Sequence, residues 1–292
     1  MKQWQSIVEH IEHSTGKAFV SAGQKDLHGG SINNAFILTG ENGKYFVKTN
    51  KRGCAAMFEA EAKGLQALAA SQTIRVPVPL CYGEDQLHSY IVMEYLALTG
   101  SANQVQLGEQ LAAMHCIQAE QFGWEMDNTI GSTPQQNDWQ QSWLEFWCEQ
   151  RLGRQLELAA KKGYGGELQL LGERLQQETP KLFAGRDIMP SMLHGDLWGG
   201  NVAGTGHGVP VIYDPAFYYG DRETDLAMTY LFGGFEPDFY ASYQNAYPVD
   251  DGFAVRKTFY NIYHVINHLN LFGGSYHAQV IQMLKQVLAE LR

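Results

Sequence analysis

The chain of 292 residues carries 31 acidic and 21 basic side chains, a formal charge of −10, and no run of Lys or Arg. That argues against nucleic-acid and anionic-membrane partners, since both need a basic face. Hydrophobic residues make up 45% and charged residues 18%, enough apolar side chain for a substantial core and too much for a disordered chain. The length suits one large domain or two lobes. Cys54, Cys81, Cys116 and Cys148 are widely spaced with no C-x-x-C pair, so neither structural zinc nor a disulfide framework is expected. The N-terminus M-K-Q-W-Q-S-I-V-E-H is polar where a signal peptide is apolar, and no apolar run reaches the length of a membrane span. A cytoplasmic location is the expectation.

Trp4, Ile7, Val8 and Ile11 fall at helical spacing and predict a short amphipathic helix. The period then changes. A-F-V-S-A predicts a strand, followed by the loop Gly29-Gly30-Ser31-Ile32-Asn33-Asn34 and the strands A-F-I-L-T and Y-F-V-K-T, with Asn42-Gly43 as the hairpin turn. Residues 54–70 return to helical period. Val76-Pro77-Val78-Pro79 breaks that helix, and P-L-C-Y-G and S-Y-I-V-M-E read as short strands. Helical patterns then occupy 104–116, 138–162, 166–178, 236–246 and, in pieces, 253–291, with one β-rich interruption at 191–214. The plan is α+β, with a small antiparallel-sheet lobe over 1–96 and a large, mostly helical lobe over 97–292.

The segment M-L-H-G-D-L-W-G-G-N, residues 192–201, carries the strongest chemical signal. Phosphoryl transfer to a hydroxyl needs a carboxylate for the hydroxyl proton and oxygen ligands for the Mg²⁺ that accompanies a nucleotide. Asp196 and Asn201 stand five residues apart, the separation of Asp and Asn in the kinase loop H-R-D-x-x-x-x-N, with Gly195 where that loop has Arg. Asp214 closes the apolar run V-I-Y-D-P, where a second Mg²⁺-binding carboxylate belongs. An isolated Asp in a glycine-containing loop is more often a turn residue. The combination at these offsets assigns Asp196 as catalytic base and Asn201 and Asp214 as metal ligands.

The first lobe supplies matching candidates. Gly29, Gly30 and Ser31 form a loop whose backbone N–H groups can approach phosphate oxygens, although Gly-Gly between strands is more often a plain turn. Lys48 ends the strand Y-F-V-K, where a β3 lysine would reach the phosphates of ATP; a strand lysine alone is commonly a solvated edge charge. On the next helix Glu61, flanked by Phe58, Leu65 and Leu68, is its expected partner, with Glu59 the rival on another face. Met93, Glu94 and Tyr95 would form a hinge beside adenine, though the letters suit an ordinary buried strand equally. Glycine loop, strand Lys, helix Glu, hinge, Asp/Asn and final Asp occur in kinase order, which implies a protein-kinase-like two-lobed fold. His194 and Asp225 are expected to support the catalytic loop, and Asp221, Arg222 and Glu223 to be a solvated charge cluster at a helix N-terminus.

H-G-D-L-W-G-G-N, followed by Y-D-P-A-F-Y-Y-G-D-R-E-T-D-L-A-M, resembles the fructosamine kinase family, ketosamine 3-kinases of the aminoglycoside-phosphotransferase-like branch of the kinase fold. F-V-K-T-N, V-P-V-P, I-V-M-E-Y-L, P-Q-Q-N-D-W and L-F-G-G-F extend the likeness over essentially the whole chain. The resemblance implies ATP- and Mg²⁺-dependent phosphorylation of the sugar 3-hydroxyl of a ketosamine, either a small molecule or a glycated protein lysine. The phosphate then makes the adduct labile. It also implies that Trp198 packs against the ketosamine, whereas a tryptophan is more often core. Some members carry a cysteine in the glycine loop that supports a redox-switched dimer; Gly30-Ser31-Ile32 stands there here, so no such switch is expected. No association element is evident and a monomer is expected. The alternatives are another alcohol kinase of the superfamily, acting on an aminoglycoside or choline, and a pseudokinase, which would have lost at least one of Lys48, Asp196, Asn201 or Asp214.

Overall fold

The computed structural model describes residues 4–27 and 32–291. In chain order, the first part comprises α1 (Gln5–Thr15), β1 (Ser21–Leu27), β2 (Asn34–Gly40), β3 (Gly43–Lys51), α2 (Ala55–Ala70), β4 (Pro79–Glu84), β5 (His88–Glu94) and β6 (Leu98–Gly100). The middle holds α3 (Gln104–His115), the hairpin β7 (Asn128–Ile130) and β8 (Thr133–Gln135), α4 (Trp143–Phe146), α5 (Arg154–Lys161) and α6 (Glu167–Leu182). Then come β9 (Ser191–Leu193), β10 (Val202–Thr205), β11 (Val209–Ile212), β12 (Tyr218–Gly220), α7 (Glu223–Thr229), α8 (Pro237–Ala246), α9 (Phe253–Phe272) and α10 (Tyr276–Glu290). A π-helical stretch, Trp147–Gly153, joins α4 to α5. Among the described residues no helix is long and apolar enough to cross a membrane.

These elements form two compact units, Met1–Asn103 with Val202–Pro215, and Gln104–Asn201 with Ala216–Arg292. The boundary expected at 96/97 is therefore drawn differently. β10 pairs antiparallel with both β11 and β6, and Ile212 N donates to Arg75 O at 3.0 Å, so backbone hydrogen bonds bind 202–215 to the first unit.

The first unit is built on an antiparallel sheet of order β1-β2-β3-β5-β4. Strand alternation turns Leu38, Val47 and Val92 to one face, where they join Trp4, Ile7 and Ile11 of the N-terminal helical segment. Two local expectations are corrected. β1 is S-A-G-Q-K-D-L, an exposed strand at the sheet edge, and Phe19 precedes it as a buried anchor; polar and charged residues are what protect an edge from further pairing. In the hairpin Gly40 pairs with Gly43, so Glu41 and Asn42 make the turn and Gly43 opens β3 with φ +140°. Glycine takes the backbone angle that an L side chain would resist.

In the second unit α9 is buried nearly all round, through Phe259, Tyr260, Ile262, Tyr263, Val265 and Ile266, and forms the centre of that core. α4 starts at a capping sequence Ser142-Trp143-Leu144-Glu145, with Ser142 Oγ accepting from Glu145 N at 3.3 Å. The supposed solvated charges at 221–223 are buried. Arg186 bonds Asp221 at 2.6 Å and Glu223 at 2.9 Å, Arg256 bonds Glu223 at 2.7 Å and Asp250 at 2.6 Å, and Tyr260 donates to Asp221 at 2.6 Å. Buried charges persist when paired and hydrogen-bonded, and these partners lie tens of residues away, where a local reading of the motif does not reach.

Candidate active site

One group of candidate residues lies in the first unit. The alternation that sends Val47 into the core turns Lys48 to the other face, where it is only 6% exposed. Its Nζ donates to Glu61 Oε1 at 2.6 Å and Asp214 Oδ1 at 2.5 Å. Glu61 is the partner; Glu59 instead pairs with Lys63 at 3.1 Å and accepts from the Tyr82 hydroxyl. Burial acts to lower the Lys48 pKa, but the Asp214 and Glu61 carboxylates outweigh it and hold the ammonium charged, above its ordinary value. Burial also holds the Glu61 carboxyl above its usual range, against the pull of Lys48. Asp214 adopts φ +60°, a left-handed conformation that Asp tolerates better than most residues, and keeps its side chain 46% exposed.

Gly29, Gly30 and Ser31 lie outside the described residues. The end of their loop is tied to β3, because Asn50 Nδ2 donates to Ile32 O at 3.2 Å and Asn33 Oδ1 at 2.7 Å. Met93 is buried in β5 and Tyr95 half-buried, with Lys44 Nζ 5.5 Å from its ring centroid. The Glu94 N–H donates to Val78 O at 2.9 Å, and its carboxylate accepts from Val78 N at 2.7 Å and Arg75 at 2.5 Å. These groups of Glu94 are engaged by the 75–78 segment, which narrows any adenine-facing role of 93–95 to its other backbone groups.

The second unit holds a separate group of candidates. β9 leads into the H-G-D loop and pairs with β12, Leu193 opposite Tyr218, while Ala216 N donates to His194 O at 2.9 Å. Asp225, on α7, accepts from His194 N at 2.7 Å and Gly195 N at 2.8 Å. Burial acts to raise the Asp225 pKa, but hydrogen bonds and the neighbouring histidines prevail and keep it below its ordinary value. Gly195 has φ +82°, and a Cβ there would stand 2.0 Å from Ala216 O. That contact explains why this loop has glycine where protein kinases have arginine.

Asp196 and Asn201 meet. Asn201 Nδ2 donates to Asp196 O at 2.8 Å and Asp196 Oδ2 at 3.1 Å, which orients the carboxylate and commits the amide nitrogen, the amide oxygen being its acceptor. His194 is fully buried and its Nδ1 accepts from Asp196 N at 3.2 Å, a supporting contact. Trp198 is 37% exposed, not core, and meets Phe232 edge-to-face at 5.7 Å; Phe232 in turn lies 4.9 Å from His268. Phe232 is 45% exposed and holds φ +49°, an unusual angle for an aromatic residue. Sequence reasoning did not place Phe232 or His268 at a site; the only signal was L-F-G-G-F, whose paired glycines mark a sharp turn.

A buried strand lysine salt-bridged to a helix glutamate, and an Asp/Asn loop anchored from the following helix, define the protein-kinase-like class of phosphotransferase. An aminoglycoside phosphotransferase, APH(4)-Ia, solved with ADP and hygromycin B, has the same fold: TM-score 0.67 at 14% identity over 97% of this chain and 98% of that one. The fructosamine kinase family model matches residues 3–290, and the chain belongs to that family. A probable ketoamine kinase of Synechocystis sp. is 47% identical over 98% of this chain and 97% of its own. The chloroplastic protein-ribulosamine 3-kinase of Arabidopsis thaliana is 42% identical over 95% of this chain and 86% of its own. A candidate fructosamine-3-kinase of Haemophilus somnus, a crystal structure, has TM-score 0.88 at 32% identity, covering 98% of this chain and 97% of that one.

Proposed function

We propose that this protein transfers the γ-phosphate of ATP to the sugar 3-hydroxyl of a ketosamine, the adduct of a sugar with an amine or a protein lysine. The observation that carries the reading is the Asp196–Asn201 pair at 3.1 Å, on a loop whose His194 and Gly195 N–H groups are clamped by Asp225. Family membership and the names of the cyanobacterial and plant relatives support the acceptor class.

Phosphoryl transfer leaves the protein little covalent chemistry and depends on positioning and charge. Asp196 orients the acceptor hydroxyl and takes its proton as the oxygen attacks the γ-phosphorus and the bond to ADP breaks. Lys48, kept charged by two carboxylates, holds the phosphates, and Glu61 keeps Lys48 in place. The residues fit Mg²⁺: the Asn201 amide has its nitrogen engaged and its oxygen as acceptor, and Asp214 presents a half-exposed carboxylate, both hard oxygen donors. Bound Mg²⁺ supplies charge neutralisation on the phosphate oxygens. Trp198 offers an exposed aromatic face against which the C–H surface of the sugar can pack. A phosphate at O3 then favours elimination, which frees the amine. The protein acts as a monomer in the cytoplasm.

Incubating the protein with ATP, Mg²⁺ and a fructose–lysine or ribulose–lysine adduct, and following the product by ³¹P NMR, tests this reading. Phosphate on O3 followed by release of free lysine is expected. Phosphate on another oxygen, or none on any ketosamine, would overturn it.

A further inference from the structure

A buried chain of hydrogen bonds in the second unit ends on the catalytic loop and begins 21 residues beyond it. Arg222 Nη1 donates to the Tyr243 hydroxyl at 3.0 Å. Arginine can only donate, so the hydroxyl's own proton is directed elsewhere, and His115 Nδ1 lies 2.8 Å away. An accepting Nδ1 assigns the neutral tautomer with its proton on Nε2, and Nε2 faces Asp225 Oδ2 at 3.3 Å. Asp225 passes the constraint on: Oδ2 accepts from His194 N and Oδ1 from Gly195 N. Each donor in the series meets an acceptor: the arginine sets the direction of the bonds through Tyr243 and His115, and the backbone N–H groups set those onto Asp225.

The chemistry of the groups agrees with that wiring. His115 is 0% exposed, and burial lowers its pKa, which keeps the ring neutral even beside Asp225. A neutral imidazole has one N–H, and the Tyr243 hydroxyl decides which nitrogen carries it. Filling this core position needs only bulk, and a phenylalanine would supply it. A donor aimed at a buried carboxylate is a more particular requirement, because Asp225 must stay ionised and in one rotamer to hold two backbone N–H groups at once.

We infer that His115 is a positioning residue for phosphoryl transfer, orienting Asp225 so that the His194–Gly195 backbone presents Asp196 to the acceptor hydroxyl. The inference rests on Asp196 being the catalytic base, and the experiment separates the two. Steady-state kinetics and ATP binding are measured for His115→Phe, His115→Gln, Asp225→Asn, the His115→Phe/Asp225→Asn double variant and Asp196→Asn. His115→Phe should lower kcat about tenfold or more, the scale of losses when a supporting hydrogen bond is removed, with ATP affinity little changed. His115→Gln, which retains an N–H donor, should recover part of that loss. In the Asp225→Asn background His115→Phe should add less than about twofold, because the two residues act as one unit. If His115→Phe does not fold, Tyr243→Phe in the same two backgrounds replaces it, with a loss of about threefold expected where Asp225 is intact, as one hydrogen bond of the series is removed. Losses that multiply in the double variant would overturn the inference. So would wild-type kcat in His115→Phe beside an inactive Asp196→Asn. Full turnover by Asp196→Asn would instead remove the base assignment itself.

Discussion

The two groups of candidate residues, one in each unit, are stabilised by different means. In the first unit a buried ammonium sits between two carboxylates, Lys48 at 2.6 Å from Glu61 and 2.5 Å from Asp214, and charge does the positioning. In the second unit the loop that carries Asp196 is held through its backbone: the His194 and Gly195 N–H groups donate to Asp225, Gly195 takes φ +82°, and the Asn201 amide donates to Asp196. The difference suits the role proposed for each. A group that grips phosphate must keep its charge whatever else is bound, and a pair of carboxylates secures that. A base must meet the acceptor hydroxyl in one geometry, and backbone hydrogen bonds fix the loop that would carry it.

This contrast can be broken at three points. Asp196→Asn should lose about 10³-fold or more in kcat while ATP affinity stays close to wild type, since general-base contributions run to about 10⁴; isothermal titration with ATP beside steady-state kinetics checks both. Lys48→Ala should do the reverse in part, weakening ATP binding and lowering kcat/KM by about 10²-fold, and it should cost about 3 kcal/mol of stability because Glu61 is left buried without its cation. Gly195→Ala should lower the melting temperature and kcat together, at a cost of about 2 kcal/mol or more, since the new Cβ meets Ala216 O and the left-handed φ resists a side chain. Equal melting temperatures for Gly195→Ala and wild type would show that the loop backbone is looser than described.

The smallest effect is in pH. Buried His264 has its pKa lowered by burial from 6.5 to about 3, so the folded protein holds it neutral where the unfolded chain protonates it. Its contribution is fully present above pH 6.5 and is lost as pH falls from 6.5 towards 3, at up to about 1.4 kcal/mol per pH unit. Denaturant unfolding at pH 7, 6 and 5 should show stability falling with pH, and His264→Phe should flatten that slope. An unchanged slope in the variant would assign it to other groups.

Much of this was legible in the chain. The order of Lys48, Glu61, Asp196, Asn201 and Asp214 is a local pattern of residue types at fixed spacing, and strand alternation after β3 predicts which way Lys48 turns. What escaped was everything set by contacts distant in sequence. Asp221 and Glu223 read as solvated because their arginines stand at 186 and 256, and His115 lies 110 residues from the Asp225 it faces. The hairpin turn fell one residue from its expected place because the glycine served the strand, not the turn. The edge strand β1 is polar, so its hydrophobic signal came from Phe19 beside it. The glycine of H-G-D could be recognised from its motif, but its cause, the Ala216 carbonyl, is visible only in the folded loop.

The most direct test of the account is Mg²⁺-dependent ATP consumption by the purified protein against fructose- and ribulose-derived lysine adducts, with an aminoglycoside and choline as rival acceptors. Turnover on a ketosamine that requires Mg²⁺ and vanishes in Asp196→Asn is the predicted result. Turnover confined to the aminoglycoside or choline, or ATP binding with no turnover on any acceptor, would contradict it.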